Sequence, residues 1–194
     1  MDDLGGPKAL GARIALFREA ARTVWNDGIV DAVVARLDDE SRAAFQPDAT
    51  LAEWMPERIF VAFIDALWEV ASGGRVDANF LRWVDVVNEN GFGHAREVFT
   101  SLASPDLLLR RAQELWSFEH SSGTLIYARL GPQSARLTLR DHPFVETEAT
   151  RTAISEAFRH VIHLTGARDV TESHETTREG FLHVVIAWTE PTAE

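Results

Sequence analysis

The stretch from Leu125 to Arg140, LIYARLGPQSARLTLR, decides the fold because its apolar residues recur with a period of two. This period is typical of β-strands, and Pro132-Gln133 at its centre predicts the turn of a β-hairpin. A turn at that point predicts a register in which one face of the hairpin is apolar. The pairs on that face are Leu130 with Ala135, Ala128 with Leu137, and Ile126 with Leu139.

The other face of the predicted hairpin carries Tyr127, Arg129, Arg136 and Arg140. In this register Arg129 lies opposite Arg136, where like charges repel unless an anion or a carboxylate neutralises them. Two interpretations stay open. Either the three arginines bind an anionic group, or the face is solvated and pairs with acidic residues such as Glu172.

Helical patterns fill the chain before this hairpin. The segment PKALGARIALFREAARTVW (7–25) has apolar residues at spacings of three and four, which predicts an amphipathic helix. The sequence TLAE (50–53) has the form of a capping box and predicts a helix that includes Pro56 in its first turn. Asp77 and Ser104 predict two further helix starts. We therefore expect five to six helices over residues 1–119.

The chain after the hairpin alternates between the two periods. An amphipathic helix is predicted over 149–166, with Gly166 at its C-terminal cap, and a second hairpin follows. The last run, GFLHVVIAW (180–188), is apolar on both faces and predicts a central strand. The sequence predicts one α+β domain over 1–194, with a helical part at 1–119 and a strand–strand–helix–strand–strand part at 120–190.

Composition excludes several classes of function. The net charge of −11 disfavours binding to nucleic acid, and no long apolar run predicts a signal peptide or a membrane span, so we expect a cytoplasmic address. The absence of cysteine excludes disulfides, thiolate nucleophiles and cysteine-ligated metals. No phosphate loop, dinucleotide fingerprint or nucleophile elbow is present, and HSSG (120–123) and DHP (141–143) are typical of turns. This pattern favours a protein that is not an enzyme.

Aromatic residues are concentrated in the helical part of the chain. Five of the six tryptophans precede the hairpin, and several phenylalanines lie among them. These side chains either form an ordinary aromatic core or line a ligand cavity between helices and sheet. The residues predicted to line such a cavity are Phe63, Trp68, Trp83 and Phe92.

Histidines form a second candidate site. His160 and His163 are three residues apart on one predicted helix, and His183 lies on the last strand. Together the three could hold zinc or another transition metal, although ordinary surface or hydrogen-bonded histidines explain the pattern more simply.

The segments SPDLLLRRAQELW (104–116) and GPQSARLTL (131–139), with the closing strand, resemble a family of bacterial proteins prominent in myxobacteria. This family is related to haem-nitric-oxide-binding, four-vinyl-reductase-type and TRAPP-like domains. The resemblance spans roughly 29–188 and implies small-molecule sensing, or dimerisation and protein binding. Haem-binding relatives use a proximal histidine and a Tyr-x-Ser-x-Arg motif. Here the counterpart is Pro132-x-Ser134-x-Arg136, and His94 is a helix histidine upstream.

These observations predict a non-enzymatic sensor or adaptor. It would act as a homodimer that binds a small hydrophobic molecule or a regulatory protein, without a cofactor. One alternative is a metalloprotein or metal-dependent enzyme that uses His160, His163 and His183. The other is a haem-based gas sensor.

Overall fold

A computed structural model of the chain describes residues 6–91 and 104–190. The described residues form eight helices and six strands, and no helix among them is long and apolar enough to cross a membrane. The helices are α1 (Ala12–Val24), α2 (Asp27–Arg36), α3 (Asp39–Ala44), α4 (Glu57–Ala71), α5 (Ala78–Gly91), α6 (Pro105–Arg110), α7 (Ala112–Glu119) and α8 (Glu148–His163). The strands are β1 (Lys8–Leu10), β2 (Trp54–Pro56), β3 (Thr124–Gly131), β4 (Ser134–Arg140), β5 (Arg168–Thr176) and β6 (Leu182–Thr189).

The α+β class and the element order agree with the sequence-based prediction, and several helix starts use the caps that were predicted. The Asp77 carboxylate accepts a hydrogen bond from the Phe80 amide at 2.8 Å, and Ser104 Oγ accepts one from the Leu107 amide at 3.3 Å. Gly166 adopts a φ of 82° just after α8, as a C-terminal cap requires.

The predicted capping box at 50–53 is wrong. Residues 54–56 form the strand β2, which pairs antiparallel with β1, and α4 begins only at Glu57. The pairing reaches further, because β1 also bridges the chain just after α7 through Ala9 and His120. The three-residue strand β1 therefore brings the start of α4 next to the end of α7.

The four-stranded antiparallel sheet has the order β3-β4-β6-β5, so β6 is central as predicted. The predicted register of β3 on β4 is wrong. The turn itself is placed correctly, with Gly131 opposite Ser134, but a bulge leaves Leu130 unpaired and puts Arg129 opposite Ala135. One extra residue moves every earlier side chain of β3 to the other face. As a result Leu125 is buried, whereas Ile126 is 40% exposed.

Two hydrophobic cores form, one among α1–α5 and one between the sheet and α6–α8. The inner faces of β4 and β6 align in the second core, where Ala135 pairs with Ile186 and Leu137 with Val184. Helix α8 contacts both cores, since Ala149 near its start packs with the helical core and Ile162 near its end packs with the sheet core. The helix thus forms a common wall between the two.

Candidate functional site

An apolar cavity of about 160 Å³ lies where the two cores meet. Its walls come from α1, α4 and α5 on one side, and from α6, α7 and α8 on the other. Most of its surface is hydrocarbon, including the rings of Phe17, Phe60 and Phe158. The polar residues at its surface are Arg13, Glu57, Asn88, Glu119, His120, His142 and Thr150.

Glu57 is the first residue of α4, and only 4% of it is exposed. Its backbone amide donates to the Pro7 carbonyl at 2.9 Å, which ties it to β1. Burial by itself would raise the pKa of Glu57, but the adjacent imidazoles of His120 and His142 outweigh it and lower that pKa to about 2. The cavity wall therefore contains a carboxylate that stays ionised at neutral pH.

His120 ends α7, and its ring stacks on Trp116 with centroids 3.8 Å apart. Its Nδ1 lies 2.6 Å from Glu57 Oε1, within hydrogen-bonding distance. The bridge between Ala9 and His120 fixes the backbone at this point. The Trp116 ring and the Glu57 carboxylate thus hold the imidazole, and the bridge to β1 holds the backbone of His120.

His142 follows β4 in a turn, and only 2% of its side chain is exposed. The turn is sharp because the preceding residue, Asp141, has a φ of 55°. Nε2 of His142 lies 3.1 Å from Glu57 Oε1, but the N–H direction is too oblique for a well-formed hydrogen bond. On the far side of the ring, Nδ1 accepts a hydrogen bond from the Phe144 amide at 3.2 Å.

Gly123 makes room for this arrangement. It has a φ of 92°, and a Cβ there would lie 2.9 Å from Leu139 Cδ1 and 2.9 Å from Trp116 Nε1. The indole N–H of Trp116 donates to the Ser122 carbonyl at 2.7 Å, which fixes the ring between His120 and His142. The turn at 120–123 therefore holds the Trp116 ring against both imidazoles.

One ligating atom from each of Glu57, His120 and His142 lies within 4.8 Å of the other two. Within the described residues, this is the one group of three or more histidine, aspartate or glutamate side chains close enough to hold a metal ion. Two imidazoles and one carboxylate are donors that zinc and iron(II) accept.

Two further polar side chains border the cavity. Arg13 on α1 forms an ion pair with Glu119 on α7, with 2.5 Å between Nη2 and Oε2. Asn88 on α5 is buried, and its Nδ2 donates to the Val84 carbonyl at 2.8 Å. Its Oδ1 is buried without a hydrogen-bond partner. Such an atom costs free energy until something donates a hydrogen bond to it.

The aromatic residues predicted to line a cavity lie elsewhere. Phe63, Trp68 and Trp83 are buried in the helical core, away from the surface of the cavity. Phe63 stacks on Phe45 with centroids 4.3 Å apart, and the Trp83 indole donates to the Phe17 carbonyl at 3.1 Å. Phe92 lies outside the described residues, as does His94.

The three arginines predicted to bind an anion do not share a face. Arg129 lies opposite Ala135 and forms a long ion pair with Asp106 at 3.9 Å, whereas Arg136 lies opposite Ala128 on the other side of the sheet. Arg140 shares the face of Arg136, and its guanidinium lies over the Phe181 ring at 4.7 Å. The bulge in β3 thus separates the charges that the predicted register placed together.

The three histidines predicted to bind metal have separate partners or surroundings. His160 lies 3.2 Å from Asp85, and His183 lies 3.8 Å from Glu175 on the neighbouring strand. His163 is at the end of α8, and burial there lowers its pKa. Across the described ranges, none of the three belongs to a group of clustered ligating atoms.

The sequence analysis missed the cluster of Glu57, His120 and His142. Two of its members stand in segments that were interpreted only as turns, HSSG and DHP. HSSG comes just before β3 and DHP just after β4, and Thr124 pairs with Arg140, so the two segments share an end of the sheet. The signal for Glu57 was weaker, because β1 was interpreted as the start of a helix.

No protein-family model and no curated protein matches the chain. Solved structures do match over nearly the whole chain. An H-NOX protein from K. algicida, crystallised in its Fe(II) unliganded form, has a TM-score of 0.69 at 9% identity and covers 95% of this chain and 99% of its own.

Two further H-NOX structures show the same relation. A mutant of the Cs H-NOX protein has a TM-score of 0.63 at 13% identity, over 95% of this chain and 99% of its own. An oxygen-binding H-NOX domain related to soluble guanylate cyclases, solved as its oxygen complex, has a TM-score of 0.58 at 12% identity. It covers 95% of this chain and 97% of its own. Identities this low carry information about architecture only. The chain therefore has the fold of the H-NOX proteins.

Proposed function

We propose that this protein is a non-enzymatic sensor module and that its input is a small, largely apolar molecule bound in the cavity between the two cores. The observation that carries the proposal is the cavity itself, about 160 Å³ in volume and lined mainly by hydrocarbon. An engineered apolar cavity of roughly 150 Å³ binds benzene or xenon, so this space suits a ligand the size of one aromatic ring. Helix α8 borders the cavity and contacts both cores, so it is the element that would respond to the ligand.

Asn88 favours a ligand with one hydrogen-bond donor. Its Oδ1 is buried without a partner, and the residue lies at the surface of the cavity. A hydroxyl or amine on the ligand would satisfy that acceptor, and one such bond contributes about 0.5–1.5 kcal/mol. We therefore expect phenol to bind more tightly than benzene, by about 2-fold to 13-fold.

Calorimetric titration with phenol and with benzene tests both the binding in the cavity and the preference for a ligand with a hydrogen-bond donor. The Asn88→Leu variant replaces the acceptor with an apolar side chain of similar size, so it should bind both compounds with equal affinity. Ala153→Leu adds bulk from α8 into the cavity and should abolish binding of both. Ala15→Leu makes the same change on the exposed face of α1 and should bind as the wild type does.

Thermal unfolding gives an independent measure. A ligand that binds only the folded state adds about 2.7 kcal/mol of stability at a hundredfold excess over Kd. If neither compound stabilises the wild type, or if Ala153→Leu binds as well as the wild type, the cavity is not the input site.

Haem-based gas sensing is the second candidate, favoured by the likeness of the fold to H-NOX proteins, one of them described as oxygen-binding. The described residues do not fit haem. The cavity is smaller than the roughly 300–1,000 Å³ that drug-sized ligands require. The chain's single tyrosine, Tyr127, donates its hydroxyl hydrogen to Asp106 on α6 and does not border the cavity.

A titration with haemin distinguishes the two candidates. We expect no Soret band from a stoichiometric complex after unbound haemin is removed by gel filtration. A band at one haem per chain that survives filtration would replace the first proposal with the second.

The remaining expectations stay predictions. A homodimer, a regulatory protein partner and a cytoplasmic address are consistent with a sensor module, and light scattering of the purified protein measures the first directly. Phe118 on α7 is 71% exposed and Leu130 in the bulge of β3 is 52% exposed, so both are accessible to a partner.

A further inference from the structure

We propose that Glu57, His120 and His142 form a binding site for one divalent transition-metal ion at the wall of the cavity. The site goes beyond the sensor function proposed above, because metal binding requires neither the apolar ligand nor haem. Its donors come from three separate segments, at the start of α4, the end of α7 and the turn after β4.

The donor set selects the class of metal. Two imidazole nitrogens and one carboxylate oxygen match catalytic zinc sites of the two-histidine, one-glutamate type and iron(II) sites with a facial triad. Both kinds of site keep open positions for an exogenous ligand. Here the three donors border the apolar cavity, so a ligand in the cavity could reach such a position.

The distances require little movement. Zinc bonds of about 2.0–2.1 Å to nitrogen and oxygen place tetrahedral donors roughly 3.3 Å apart. In the structure, Oε1 of Glu57 is 2.6 Å from Nδ1 of His120 and 3.1 Å from Nε2 of His142. An ion would therefore move Oε1 of Glu57 away from Nδ1 of His120 by about 0.7 Å and away from Nε2 of His142 by about 0.2 Å, within the reach of side-chain rotation.

The second observation is the nitrogen of His142. Its side chain is 2% exposed, and the buried Nε2 points toward Glu57 without forming a well-directed hydrogen bond. Nε2 therefore interacts with the Glu57 carboxylate only in a poor geometry, and a metal ion would supply a better-directed partner. The carboxylate of Glu57 is equally buried and provides the negative charge that a divalent ion requires.

Binding has two specific structural costs. His120 must give up the 2.6 Å hydrogen bond from its Nδ1 to Glu57 and carry its proton on Nε2 instead. A neutral imidazole that ligates through Nε2 carries its proton on Nδ1, but Nδ1 of His142 accepts a hydrogen bond from the Phe144 amide. Metal binding must therefore move the proton from Nε2 to Nδ1 and break this 3.2 Å bond. Metal occupancy would in this way change the turn at 141–147 that leads into α8.

Calorimetry with Zn²⁺, and with Fe²⁺ under anaerobic conditions, tests the proposal on the full chain after treatment with a chelator. We expect one ion per chain. His120→Ala and His142→Ala should each weaken binding by at least about 100-fold, since loss of an outer-shell partner alone costs 10–100-fold. The matched control is His183→Ala, which removes a half-buried histidine outside the cluster and should bind as the wild type does.

The NMR signal of the Phe144 amide tests whether His142 ligates the ion, because this signal would not respond to Zn²⁺ if His142 only stabilised the fold. Zn²⁺ should shift the Phe144 amide in the wild type and leave it unchanged in His142→Ala, with circular dichroism to verify that the variant is folded. Absence of binding by the wild type, or equal affinity in His120→Ala and His183→Ala, would overturn the metal site. Ala153→Leu separates the two proposals, because it should lose phenol binding while it retains the metal ion.

Discussion

Replacement of Glu57 by glutamine should change how the stability of the protein depends on pH. The pKa of this carboxyl falls from 4.5 to about 2 on folding, although burial opposes the change, because two imidazoles interact with the ionised form. A lowered pKa stabilises the folded state above pH 4.5, and the stabilisation disappears as the pH falls toward 2. This linkage is worth roughly 3 kcal/mol at pH 7 and about 1 kcal/mol at pH 3. The wild type should therefore lose about 2 kcal/mol more than Glu57→Gln over that interval.

Urea denaturation at a series of pH values measures the difference directly. Both proteins should be treated with a chelator, because a bound ion would add its own pH dependence. Titrating groups that do not contact Glu57 contribute equally to the two proteins and cancel, so the difference belongs to Glu57 together with His120 and His142. Glu69 on the same helix is exposed, so Glu69→Gln is the matched control. Its free energy of unfolding should stay within about 0.5 kcal/mol of the wild-type value at each pH. If the difference in the free energy of unfolding between the wild type and Glu57→Gln stayed constant from pH 7 to pH 3, the assignment of Glu57 as a charged, buried carboxylate would be refuted.

Two further perturbations follow from the geometry. Gly123→Ala should cost about 1–3 kcal/mol in the free energy of unfolding, because the residue has a φ of 92° and the new methyl group would meet Leu139 and Trp116 at 2.9 Å. Gly180→Ala, with a φ of 80° and open space around it, should cost less, and an equal loss would count against the packing argument. The carboxylate of Glu172, 3.5 Å from Nδ1 of His174, raises the pKa of His174 above 6.5, so the stabilisation from the charged imidazole is complete below pH 6.5 and is lost as the pH rises. His174→Gln should flatten the stability profile between pH 6 and pH 8, as measured by urea denaturation, and an unchanged profile would contradict this assignment.

The elements of this fold could be predicted because each carries a local signal. The period of two in β3 and β4, the cap at Ser104 and the glycine after α8 depend only on neighbouring residues. The bulge at Leu130 could not be predicted in the same way. The predicted and the observed register of β3 both place apolar residues on the inner face of β4. Only the packing of Leu125 and Tyr127 against α6 and α7 distinguishes the two registers.

The candidate site was harder to predict than the fold because no local pattern describes it. Glu57 is separated from His120 by 63 residues along the chain. Their approach depends on β1, a three-residue strand that pairs with β2 and also bridges to His120. A strand that short has too few residues to show an alternating pattern, so its sequence does not distinguish it from the beginning of α1.

The location of the cluster also bears on how the fold is used. The matched structures are H-NOX proteins with the same architecture. In this chain, a small cavity lies where the helical and sheet cores meet, and an ionised carboxylate and two imidazoles lie at one end of it. A flat macrocycle is larger than this cavity, so it would move the side chains that line it, at a cost of about 1.5–3 kcal/mol for each large side chain exposed. A single metal ion needs proton shifts in His120 and His142 and the loss of two hydrogen bonds, one from His120 to Glu57 and one from the Phe144 amide to His142. Among the described residues, this arrangement supports the two proposals made above, a ligand of one ring in the cavity and one metal ion at its wall.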